Sequence, residues 1–130
     1  MAGRELSPGL RRVLYGTAVI DLVIGLLFLL DPELDSAPWP KPIAPVLVRF
    51  IGSIVIANAA GLVVAARQGT WEGARALFAV ASVYGLVALV AVTAQLLSAP
   101  DGQGVLWIYV AVLVVFLGPI AVLIARYERR

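Results

Sequence analysis

Residues 105–125 read VLWIYVAVLVVFLGPIAVLIA, an apolar run without a single charged side chain. A transmembrane helix needs about 20 mostly apolar residues at a rise of about 1.5 Å per residue, so this run is long enough to cross a bilayer. Of the 130 residues in the chain, 62% are hydrophobic and 14% are charged. Soluble domains carry roughly 45–50% apolar and about 25% charged residues, so the composition predicts an integral membrane protein.

Three further apolar stretches precede this run, at residues 13–30, 43–66 and 74–97. The first contains one charge at Asp21, the second contains one at Arg49, and the third has one near its start at Arg75. The breaks between the stretches are rich in Pro, Gly and charge, and they are short enough to make each helix antiparallel to the preceding one. We therefore expect one all-α domain over residues 1–130, an antiparallel four-helix transmembrane bundle.

The first stretch has an alternative interpretation as a cleaved signal peptide. Arg11 and Arg12 precede an apolar run, as in the charged and hydrophobic regions of such a leader. However, Asp21 interrupts the run, and no small-residue cleavage site follows directly. We therefore expect this stretch to remain as the first span.

The distribution of basic residues predicts the orientation of the bundle. Eight of the ten Lys and Arg residues fall on one side of an alternating four-span arrangement, the other two being Lys41 in the first loop and Arg49 within a span. The eight are Arg4, Arg11, Arg12, Arg67, Arg75, Arg126, Arg129 and Arg130. The positive-inside rule then places both termini in the cytoplasm and the protein in the cell membrane.

Polar side chains inside the spans are the candidate functional residues. A charge at mid-membrane costs at least about 2.5–3.5 kcal/mol, so such a residue is usually paired, neutralised or functional. Helix rise places Asp21 and Arg49 about 6 Å apart in depth on neighbouring helices, which predicts an ion pair in the outer half of the bundle. Gln95 would complete this outer cluster, and Asn58 and Tyr84 would form an inner one. The ion pair either fixes helix register or holds a working carboxylate, and the sequence leaves both interpretations open.

Small residues predict where the helices approach closely. Ser53, Ala57 and Gly61 recur at four-residue spacing in the second span, and Gly85 lies on a small-residue face of the third. Such faces matter because lipid tails are as apolar as leucine, so helices associate in lipid through close packing and hydrogen bonds. In the fourth span, Pro119 removes one backbone hydrogen bond and predicts a kink.

The composition also excludes several chemistries. The chain has no Cys and no His, so disulfides, thiol chemistry and the usual zinc or haem ligands are missing. We expect no cofactor and no metal, and we do not expect an enzyme. The basic residues flank the spans, so nucleic-acid binding is not expected either.

The first loop carries a resemblance to known proteins. Its segment Trp39-Pro40-x-Pro42-Ile43-Ala44-Pro45, followed by Arg49-x-x-Gly52, resembles a pattern in small, uncharacterised four-span membrane proteins of actinobacteria and related bacteria. The resemblance implies that the loop, Arg49 and Gly52 act as a unit. It implies no activity.

Two functions are favoured, and an enzyme that acts on a lipid or a quinone is the third and least favoured, because the acid–base repertoire is so thin. The first is a membrane protein that acts through helix–helix contacts, as a homo-oligomer or as an accessory subunit of a membrane complex. Its partners would be the lipid bilayer and itself or another membrane protein. The alternative is a small proton- or ion-coupled transporter or channel that uses the predicted pair of Asp21 and Arg49.

Overall fold

The structure, a computed structural model, describes residues 3–33, 44–98 and 104–129. Within these ranges the chain is all-α, and its long helices are α1 (Pro8–Leu30), α2 (Pro45–Gln68), α3 (Trp71–Ser98) and α4 (Gly104–Glu128). All four are long and apolar enough to cross a membrane. The Trp-Pro loop and Lys41 lie outside the described residues.

Capping residues set the start of α1 and the end of α2, whereas the sequence predicted each helix from its apolar run alone. α1 begins ahead of residue 13 because the Ser7 hydroxyl accepts a hydrogen bond from the Leu10 amide at 3.3 Å, and Pro8 fits the first turn without needing an N–H. α2 ends at Gly69, whose φ of 65° is the left-handed conformation typical of a helix C-terminus. α4 continues as one helix through Pro119.

α1 and α2 pack together within the first of two compact units, Met1–Ala74. Their backbones meet at two glycines. A Cβ atom added to Gly25 would lie 2.9 Å from the carbonyl oxygen of Gly52, and one added to Gly52 would lie 2.9 Å from the carbonyl oxygen of Gly25. Only glycine permits this approach, because any larger residue would push the two backbones apart.

The N-terminal segment closes one end of this unit. The Leu6 amide donates to the Gly69 carbonyl oxygen at 2.8 Å, and the Trp71 amide donates to the Arg4 carbonyl oxygen at 2.7 Å. The side chains of Leu6 and Trp71 are both buried. These bonds attach the N-terminal segment to the connection between α2 and α3 in an antiparallel bridge.

The second compact unit, Arg75–Arg130, contains most of α3 and all of α4. Arg75 Nε and Glu128 Oε1 form an exposed ion pair at 2.9 Å. Further along, a Cβ atom added to Gly85 would lie 2.7 Å from a methyl carbon of Leu117, so α3 and α4 also touch at a glycine. The ion pair lies at the start of α3 and the end of α4, and the glycine contact lies near the middle of both helices.

We predict that Gly25→Ala destabilises the first unit, while Gly16→Ala on the same helix does not. The added methyl at Gly25 would force the Gly52 backbone away, and overpacking of this kind costs about 1–3 kcal/mol. At Gly16 nothing lies within 4 Å of the new Cβ atom. The measurement is thermal unfolding of the two variants in the same detergent, and equal melting temperatures would contradict the close approach.

Candidate functional site

The Asp21 carboxylate joins the middle of α1 to α2. Its Oδ2 atom accepts a hydrogen bond from Asn58 Nδ2 at 2.6 Å, and both side chains are half-buried. Asp21 lies nine residues before the last residue of α1, which corresponds to about 13 Å along the helix. In apolar surroundings a hydrogen bond of this kind is stronger than in water, and an unpaired polar group is costly.

Arg49 has a different partner from the one predicted. Its Nε atom donates to the carbonyl oxygen of Leu29 at 3.3 Å, in the last turn of α1. The last carbonyl groups of a helix have no partner within the helix, and a cation also suits the negative end of the helix dipole. Arg49 therefore caps α1 from the neighbouring helix, and the predicted ion pair with Asp21 is not formed.

A second arginine makes the same contact at the opposite end of the helix pair, which the sequence analysis did not anticipate. Arg11 Nε donates to the carbonyl oxygen of Ala66 at 3.0 Å, near the end of α2. The sequence pattern predicts a role for Arg11 in orienting the protein and no contact with a helix end. The sequence contained one signal for these arginine contacts, which is their position: Arg11 and Arg49 each lie in the first turns of their own helix.

The register of α1 and α2 explains why Asp21 and Arg49 do not meet. Arg11 near the start of α1 bonds near the end of α2, and Arg49 near the start of α2 bonds near the end of α1. The glycine contact and the bond between Asp21 and Asn58 lie between these two ends. Arg49 lies nine residues before Asn58, the partner of Asp21, which is about 13 Å along α2. The predicted difference in depth of about 6 Å between Asp21 and Arg49 assumed that the apolar runs of the two helices end at the same depth. In the structure, the glycine contact sets the position of one helix along the other.

The outer cluster with Gln95 and the inner cluster with Tyr84 would join residues of the two compact units, and these contacts stay predictions. Asn58 belongs with Asp21, which the prediction had placed in a different cluster. The Tyr84 side chain is 64% exposed, and Gln95 is exposed as well. The buried residues of α3 include Phe78 and Gly85, which are seven residues apart and lie on one face of the helix. Tyr84 lies about 100° round the helix from Gly85.

The predicted packing residues of α2 lie beside the face that contacts α1. Ser53 and Ala57 are exposed, and Gly61 is half-buried. The residue at the close approach is Gly52, one position before Ser53 and therefore about 100° round the helix. The Ser53 hydroxyl donates back to the carbonyl oxygen of Phe50 at 2.7 Å. The predicted stripe is thus on the surface of the chain.

The site offers a carboxylate from Asp21 and a carboxamide from Asn58. Among the described residues, no group of three or more acidic side chains is placed to hold a metal ion. Comparison with known proteins gave no matching protein family, no matching curated protein and no matching solved structure.

We predict a measurable coupling between Asp21 and Asn58 and none between Asp21 and Arg49. In a double-mutant cycle with Asp21→Ala and Asn58→Ala, the coupling energy should be about 0.6 kcal/mol and at most about 1.7 kcal/mol, the range found for interhelical hydrogen bonds in membranes. The measurement is the free energy of unfolding in mixed micelles. A larger coupling energy in the matched cycle with Asp21→Ala and Arg49→Ala would indicate the ion pair and would contradict the structure.

Proposed function

We propose that this chain is a multi-pass protein of the cell membrane that acts through helix–helix contacts, with copies of itself or as an accessory subunit of a membrane complex. The apolar surface of the helices supports this most directly. In the most hydrophobic 18-residue window of each helix, only 6–22% of the residues are buried inside the chain. Such a surface is unfavourable in water and suits lipid or the apolar face of another helix.

In this proposal the four helices span the bilayer as an antiparallel bundle with both termini in the cytoplasm. The structure places Arg12 near the start of α1, Arg67 near the end of α2 and Arg126 near the end of α4, all exposed. An alternating arrangement brings these three helix ends to one side of the membrane, where the positive-inside rule supports a cytoplasmic location.

The absence of cysteine makes this topology directly testable. We predict that a Cys introduced at Ser98, at the end of α3, reacts with a membrane-impermeant maleimide on intact cells. A Cys introduced at Gln68, at the end of α2, should react only after the membrane is permeabilised. The protein should also remain in the membrane fraction after an alkaline wash. Release by that wash would contradict membrane insertion, and the reverse labelling pattern would contradict the orientation.

The exposed small residues of α2 supply a contact surface for another helix. Ala57 lies about 160° round α2 from Ala59, a buried residue on the side towards α1. Ser53 lies one turn away on the same exposed stripe, and its hydroxyl is already bonded within α2. Small side chains on an exposed stripe let a second helix approach closely, which is what drives association in lipid.

We predict that Ala57→Leu weakens self-association in lipid vesicles by about tenfold, equivalent to about 1.4 kcal/mol. The larger side chain would hold the partner helix away from the stripe. The measurement is energy transfer between donor- and acceptor-labelled copies over a range of protein-to-lipid ratios. Ala111→Leu is the matched control, since Ala111 is an exposed alanine on α4. Unchanged association in Ala57→Leu, or a wild-type protein that stays monomeric throughout, would contradict self-association through this stripe.

The transport alternative receives less support from the site. Its central element was a carboxylate held by an arginine, and the structure gives Arg49 to the Leu29 carbonyl oxygen instead. The Asp21 carboxylate is bonded to an amide of the neighbouring helix, which is the arrangement of a residue that fixes helix register. We therefore favour the proposal of helix–helix contacts.

A further inference from the structure

An apolar groove runs along the seam between α1 and α2. It has a volume of about 290 Å³ and is lined by Tyr15, Ala18, Val19, Leu22, Ile56, Ala59, Ala60 and Val63. The small side chains of Ala18, Ala59 and Ala60 leave its floor open. Val19 and Leu22 at its edge are 62% and 43% exposed, so the groove opens onto the outer surface of the helix pair.

Arg49 lies in line with this groove. Arg49 and Ile56 are seven residues apart, so they lie within about 20° of each other round α2. Leu29, whose carbonyl oxygen accepts the hydrogen bond from Arg49, has the same seven-residue relation to Leu22 on α1. The cation and the groove therefore share one side of the seam, with Arg49 about 10 Å nearer to the outer end of the helices.

The guanidinium of Arg49 has donors to spare. A guanidinium carries five N–H groups, and among the described residues Arg49 uses Nε for the Leu29 carbonyl oxygen. The side chain is exposed. Its two terminal amino groups are thus available to a planar or tetrahedral oxyanion such as a phosphate.

From this arrangement we propose that the seam of α1 and α2 binds one phospholipid, with its phosphate on Arg49 and one acyl chain in the apolar groove. The proposal rests on the proposed membrane location of the chain. One leaflet of a bilayer has a hydrocarbon thickness of about 15 Å, half of the total. The near end of the groove lies about 10 Å from Arg49, so a single acyl chain reaches it while the headgroup stays at the level of the arginine.

The two parts of the site are tested separately by native mass spectrometry of the delipidated protein in a mild detergent, titrated with dioleoyl phosphatidylglycerol. Arg49→Gln removes the cation, and Ala60→Phe fills the groove. We expect each to raise the Kd of the first bound lipid at least tenfold. Arg49→Lys should give a Kd between those of the wild type and Arg49→Gln, because it keeps the charge but not the pair of terminal amino groups. Dioleoylglycerol has the acyl chains without the phosphate. It should bind the wild type weakly, and its Kd should be the same for the wild type and Arg49→Gln.

Matched controls separate this site from general effects. Arg12→Gln removes an exposed arginine near the start of α1, and Ala111→Phe enlarges an exposed alanine on α4, so neither should change the first Kd. Equal lipid affinity in the wild type, Arg49→Gln and Ala60→Phe would overturn the proposal. So would a protein dimer that Ala60→Phe dissociates without loss of lipid, since a second copy would then occupy the groove. A chain that fails the alkaline-wash test instead refutes the membrane location.

Discussion

The contact between the backbones of Gly25 and Gly52 sets the register of α1 and α2, and the polar contacts of this helix pair depend on that register. With the two glycines in contact, Asn58 comes within reach of Asp21, and each helix end comes within reach of an arginine of the other helix. A slide of one helical turn, about 5.4 Å, would separate all of these partners at once. A weak hydrogen bond alone would not resist such a slide, whereas two backbones in contact at a glycine do.

Three of the polar residues that stood out in the sequence bond to one another or to a helix end, namely Asp21, Asn58 and Arg49. In lipid, an unsatisfied backbone group costs several kcal/mol, because no water is present to replace its partner. Arg11 and Arg49 each supply a donor to a carbonyl group at the end of the neighbouring helix. Arg49 uses one N–H group for this contact and, among the described residues, has others to spare. One residue can therefore cap a helix and still present a cation to a phosphate.

The sequence was sufficient to predict the helices and insufficient to predict the register between them. Long apolar runs predicted four helices, and the described part of the chain has four long helices at these positions. The partner of Asp21 could not be predicted, because depth estimated from the ends of apolar runs is uncertain by a full turn. The sequence pattern placed the packing face of α2 at Ser53, whereas the structure has it at Gly52. A shift of one residue rotates the face by about 100° round the helix. Small residues occur at both positions, so the pattern alone does not distinguish them.

The register is tested most directly by disulfide cross-linking in this cysteine-free chain. Ala18→Cys with Ala59→Cys places two thiols at one level of the seam, where both alanines line the groove. Ala18→Cys with Ala66→Cys moves the second thiol seven residues along the same face, about 10 Å away and beyond the roughly 7 Å limit between bridged Cα atoms. We expect rapid cross-linking of the first pair on mild oxidation and none of the second. Cross-linking of the second pair in preference to the first would contradict the register.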